Sequence, residues 1–154
     1  MTSVQPSPAR TATARRRVAV SLCCAGLVLQ VTGSFLPWLQ SGDVARNSYQ
    51  TVSIARRLTA LGEGVLGAVT VAWPAMGIAA ALCAALYVLG ARRTASVSVL
   101  LLSVVVGTIA TLPVVLLPGS ESTIRVIIVG PIVTLSGAVL AMVGALALFA
   151  RPKN

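Results

Sequence analysis

The sequence has no histidine, a single lysine and only three acidic residues, Asp43, Glu63 and Glu121. Without histidine there is no Ser–His or Cys–His dyad, so hydrolysis by the usual nucleophile–base pairs is excluded. Apart from Arg125, at the very edge of the last, no acid, lysine or arginine falls inside an apolar run, which removes the ionisable relay that proton and ion pathways use. Charged residues make up 10% of the 154-residue chain, whereas a soluble domain carries roughly a quarter. That is too little polar side chain to cover a globule, so lipid must supply the missing solvent. The three cysteines, Cys23, Cys24 and Cys83, all lie in apolar stretches. Their spacing suits neither a disulfide framework nor a zinc site, and they read as small core hydrophobes. Leu22 before Cys23 is too large for a lipoprotein cleavage signal. No cofactor or metal is expected.

What the sequence does have is apolar length: 56% of residues are hydrophobic and mean hydropathy is +0.93. A helix needs about 20 apolar residues to cross the hydrocarbon core. Four runs meet that requirement, at 18–38, 64–91, 97–117 and 124–150. The expected fold is an all-α integral membrane protein of four transmembrane helices spanning 18–150. The expected flanks are a disordered basic tail over 1–17 and a short tail over 151–154. Orientation follows from the cations. Arg10, Arg15, Arg16, Arg17, Arg92, Arg93, Arg151 and Lys153 share one side of a four-span chain and no acid accompanies them. Arg46, Arg56, Arg57 and Arg125 share the other side with all three acids. This asymmetry predicts a plasma-membrane protein with both termini in the cytoplasm. The net charge of +9 is then a topology signal, and nucleic acid is not expected as a partner. The arginines of the N-terminal tail can lie on anionic lipid.

Phe35 and Trp38 are expected at the outer headgroup level, Tyr87 and Phe149 near the inner one. Small residues recur every four positions at Gly77, Ala81 and Ala85, and again at Gly137, Ala141 and Ala145. Such stripes let helix backbones approach closely, within the bundle, against another membrane subunit or in a homo-oligomer. Pro74, Pro113 and Pro131 each remove a backbone donor in or near a span and predict bends. Bent second and fourth spans would leave an outward cleft.

The longest polar stretch is the predicted external loop, 39–63. Ser41-Gly42-Asp43 is turn chemistry. Asn47 or Ser48 can cap a helix, with Gln50 reaching back to Asn47. Ile54, Leu58, Leu61 and Val65 then recur at helical spacing, with Arg56 and Arg57 opposite. This predicts an amphipathic helix over 48–61 at the outer surface. Arg46, Asn47, Ser48, Tyr49, Arg56 and Arg57 are the candidate contact surface, since arginine forks suit phosphate and carboxylate groups.

Pro37-Trp38, Ser41-Gly42, Arg46-Asn47-Ser48-Tyr49 and Arg56-Arg57-Leu58 together resemble a pattern in small four-span conserved membrane proteins of actinobacteria. The composition, rich in alanine, valine and arginine, suits a high-GC genome. The resemblance covers about a quarter of the chain and implies no particular activity. It implies that the loop holds the distinctive residues. The expected function is a non-catalytic accessory or scaffold subunit of a cell-envelope membrane complex. The alternative is a lipid-binding or lipid-handling protein using the cleft. A pore is disfavoured because no span carries a continuous polar stripe.

Overall fold

The computed structural model describes residues 8–58, 72–116 and 124–150. Helix α1 runs over Pro8–Phe35. Strands β1 (Pro37–Ser41) and β2 (Val44–Asn47) follow, then helix α2 (Ser48–Leu58). A 3-10 turn at Trp73–Ala75 leads into α3 (Met76–Val88). Helix α4 covers Arg92–Leu116, β3 covers Ile124–Val126 and α5 covers Val129–Phe149.

Three helices are long and apolar enough to cross a membrane, over Thr13–Phe35, Arg92–Leu112 and Val129–Phe149. The apolar helix Trp73–Val88 is shorter. It carries the described part of the second expected span, whose remainder lies outside the described residues. Large exposed side chains such as Val28, Leu82, Leu101, Val139 and Val143 line the outside of the bundle. That is how helices look when lipid, rather than water, is the solvent.

Helices α1 and α5 pack antiparallel, and two glycine series explain how closely. Gly26 and Gly33 are seven residues apart, as are Gly130, Gly137 and Gly144. A Cβ at Gly137 would meet the Gln30 nitrogen at 2.6 Å and the Gly26 oxygen at 2.7 Å. One at Gly144 would meet the Cys23 nitrogen at 2.7 Å. Only backbones without side chains come this near, and dispersion contact then holds them where no hydrophobic effect acts between helices. Two core layers complete the bundle. One contains Cys23, Leu27, Ala80, Cys83, Val99, Ala141 and Ala145. The other contains Trp38, Trp73, Met76, Val106 and Ala110.

Several sequence expectations change. The tail expected to be disordered is helical from Pro8. Ala9, Ala12, Ala14 and the arginines are strong helix formers, and they extend a helix already nucleated by the span. The first span ends at Phe35 rather than 38, because Pro37 cannot continue it. The helix of the fourth expected span, α5, starts at Val129, and Ile124–Val126 is instead a strand. Pro74 lies in the 3-10 turn that opens α3, and Pro131 lies in the first turn of α5. Amides in the first turn of α5 have no helical partner to lose, so Pro131 starts a helix instead of bending one, while Pro74 stands between helical Ala72 and α3.

The loop region and β3 form a sheet that the sequence reading did not anticipate, ordered β2-β1-β3 and antiparallel throughout. Its hairpin turns at Gly42, which adopts φ +60°, while Asp43 stays at negative φ. That is the pattern of a type II′ hairpin.

Candidate functional site

The sheet and α2 form a cap over the end of the bundle where α1 finishes and α5 begins. Pro37 pairs with Asn47 but Leu39 with Arg46, so Trp38 is an extra residue in β1. Such a bulge re-aims a side chain, and here it turns the indole inward. Trp38 is 4% exposed, where the sequence predicted an interfacial position. Its Nε1 donates to the Gly33 carbonyl at 2.9 Å, and its own carbonyl accepts from the Ile127 amide at 2.9 Å. Gly130 makes room: a Cβ there would meet Trp38 Nε1 at 2.5 Å.

A second indole lies edge-on to the first. Trp73 and Trp38 have ring centroids 5.7 Å apart at 74°, a favoured aromatic geometry. Trp73 Nε1 donates to Ser48 Oγ at 3.0 Å, and Ser48 donates in turn to the Ser34 carbonyl at 2.6 Å. Ser34 Oγ donates to the Val31 carbonyl at 2.6 Å and lies 3.2 Å from the Tyr49 hydroxyl. Tyr49 also packs on Phe35, with centroids 5.1 Å apart. Two of these bonds, to the Gly33 and Ser34 carbonyls, share a physical cause. The last carbonyls of a helix have no partner within it, and those of α1 end against apolar surroundings. Ser48 supplies a donor to the Ser34 carbonyl, and Trp38 joins the Leu36 amide on that of Gly33.

The cap holds α2 by a reciprocal box. The Gln50 amide donates to Asn47 Oδ1 at 3.0 Å, and the Asn47 amide donates to Gln50 Oε1 at 3.3 Å. Thr51 Oγ1 adds a bond to the Asn47 carbonyl at 2.9 Å. This is the cap that the Asn47–Gln50 spacing predicts.

The candidate contact residues therefore divide. Ser48 is buried and Tyr49 half-buried, both turned toward the bundle. Arg46 and Asn47 are half-exposed, while Asp43, Val44, Ala45 and Gln50 are exposed. The helix α2 includes positions 56 and 57, but the side chains of Arg56 and Arg57 lie outside what the structure describes. Residues 59–61 of the predicted amphipathic helix lie outside the described residues as well. Ser48 cannot serve as an accessible nucleophile, since its proton and a lone pair are both engaged in a buried chain. Among the described residues no group of histidine, cysteine and carboxylate side chains could hold a metal.

The two small-residue stripes also separate. Gly137, Ala141 and Ala145 are buried, with Ala141 and Ala145 at 0% exposure against α1 and its neighbours. Ala81 and Ala85 are exposed, and a Cβ at Gly77 would meet nothing within 4 Å. Among the described residues that face of α3 packs on nothing. Its opposite side, Met76, Ala80 and Cys83, faces the core.

Sequence reasoning missed Trp38 and Trp73 as a buried pair, Ser34 as the residue whose carbonyl accepts from Ser48, and Gly26, Gly33, Gly130 and Gly144. The seven-residue glycine spacing was the available signal. It also missed the partner of Gln30, whose Nε2 donates to Ser103 Oγ at 3.0 Å inside the bundle. No protein-family model, curated protein or solved structure matches the chain.

Proposed function

We propose that the protein is a non-catalytic subunit of a cell-envelope membrane complex, belonging with the small four-span actinobacterial membrane proteins it resembles. In this reading α3 and the residues before it make a fourth crossing of the plasma membrane. Both termini are cytoplasmic and the cap is external. The cap is the docking element for another protein component. One observation carries the proposal: the cap is fastened to the bundle by the buried chain from Trp73 through Ser48 to Ser34, while its hairpin tip and Gln50 of α2 stay exposed. A recognition surface held this way loses little conformational entropy on binding. Arginine suits such a surface because its planar fork pairs bidentately with carboxylates.

The test is co-purification from the native membrane in mild detergent. The wild-type chain should retain a stoichiometric protein partner, and Arg56→Glu with Arg57→Glu should release it while the fold persists. Retention of the same partner by the charge-reversed chain would sink the proposal. So would recovery of the wild-type chain with no protein partner at all.

A further inference from the structure

The cap uses none of the arginines at the opposite end of the bundle. One core layer joins Cys23 of α1, Cys83 of α3, Val99 of α4 and Ala145 of α5. Arg17 stands six residues before Cys23, and Arg92 seven before Val99. At 1.5 Å of rise per residue, both lie about 10 Å beyond that layer. The turn between α3 and α4 sets this level. Gly90 adopts φ +85°, a conformation that glycine takes without strain, and its carbonyl accepts from the Arg92 amide at 2.8 Å. The fold thus brings Arg92 and Arg93 to the level of Arg15, Arg16 and Arg17, about 75 residues earlier in the chain.

Arg15, Arg17, Arg92 and Arg93 are exposed and Arg16 is half-buried. The only acid among the described residues is Asp43, in the hairpin at the other end of the bundle. We infer that these five arginines form a binding surface for anionic phospholipid headgroups of the membrane that holds the helices. Guanidinium groups pair bidentately with phosphate oxygens. Their position selects lipid over an acidic protein. Val18 and Val97 are exposed, within about a turn of Arg17 and Arg93, and they begin the apolar surface. The arginines therefore stand at the boundary of the hydrocarbon, where headgroup phosphates lie. This inference is independent of what the cap docks.

The test uses the full chain reconstituted in vesicles of phosphatidylcholine and phosphatidylglycerol, with spin-labelled lipid of either headgroup as the probe. Phosphatidylglycerol should associate with the protein at least about fivefold more strongly, the factor that one arginine near an anionic surface supplies. Replacing all five arginines by glutamine should bring the ratio close to one. Arg92→Gln with Arg93→Gln, or Arg15→Gln with Arg16→Gln and Arg17→Gln, should each remove part of it. Ala45→Gln, at the exposed hairpin of the cap, should leave it unchanged. Equal association of the two lipids with the wild-type chain would overturn the inference, and so would a preference that survives the five-residue replacement. The wild-type ratio decides even if that variant fails to insert.

Discussion

At Gly137 an added methyl would push into the backbone of α1, at the Gln30 nitrogen and the Gly26 oxygen. At Gly77 it would meet nothing. The two glycines look alike in sequence, each heading a stripe of small residues in an apolar helix. Gly137→Val should therefore destabilise the protein by about 1–3 kcal/mol through overpacking. Gly77→Ala should be neutral, or stabilising by up to about 1 kcal/mol from its better helix propensity. Thermal unfolding of the detergent-solubilised variants measures both; equal losses at the two sites would mean that α1 and α5 do not meet at Gly137. Gln30 makes the same point with a polar side chain. It was legible as the most polar residue in any span, and it is 1% exposed. Its partner was not legible, because nothing in a linear pattern links it to a serine 73 positions away.

The elements were legible to different degrees. The three long helices follow from apolar length, and the start of α2 from the Asn47–Gln50 pair. Those signals are local. The sheet is not local: β1 pairs with β3, so Leu39 meets Val126, and three strand residues, Ile124-Arg125-Val126, are too few for alternation to betray them. The bulge at Trp38 had no sequence mark either, which is why an indole expected at headgroup level proved to be buried. The serine chain under the cap gives an element-scale test. Ser48→Ala removes both the acceptor of the Trp73 indole and the donor to the α1 terminus. It should cost about 1–3 kcal/mol, because two buried polar groups are left unpaired. Trp73→Phe keeps most of the ring and gives up one bond, so its hydrogen-bond loss should be nearer 1 kcal/mol. Unfolding midpoints of the two variants, followed by circular dichroism, check the order. A Ser48→Ala chain as stable as wild type would show that the cap is not fastened in this way.

Over the whole molecule, the cap and the arginine surface stand at opposite ends of one helical bundle. Between them run two core layers and a lipid-facing exterior of valine, leucine and isoleucine. The proposed topology turns this polarity into sidedness: a cap outside the cell and a basic surface within. The cation asymmetry was visible in the sequence, whereas the shared level of Arg17 and Arg92 required the packing of α1 against its neighbours. Sidedness is tested most directly by labelling single introduced cysteines with a membrane-impermeant maleimide, in a chain whose Cys23, Cys24 and Cys83 are replaced by alanine. Ala45→Cys, at the exposed hairpin, should label in intact cells. Arg93→Cys should label only after the membrane is opened. Labelling of both positions from the same side, or in the reverse order, would contradict the account.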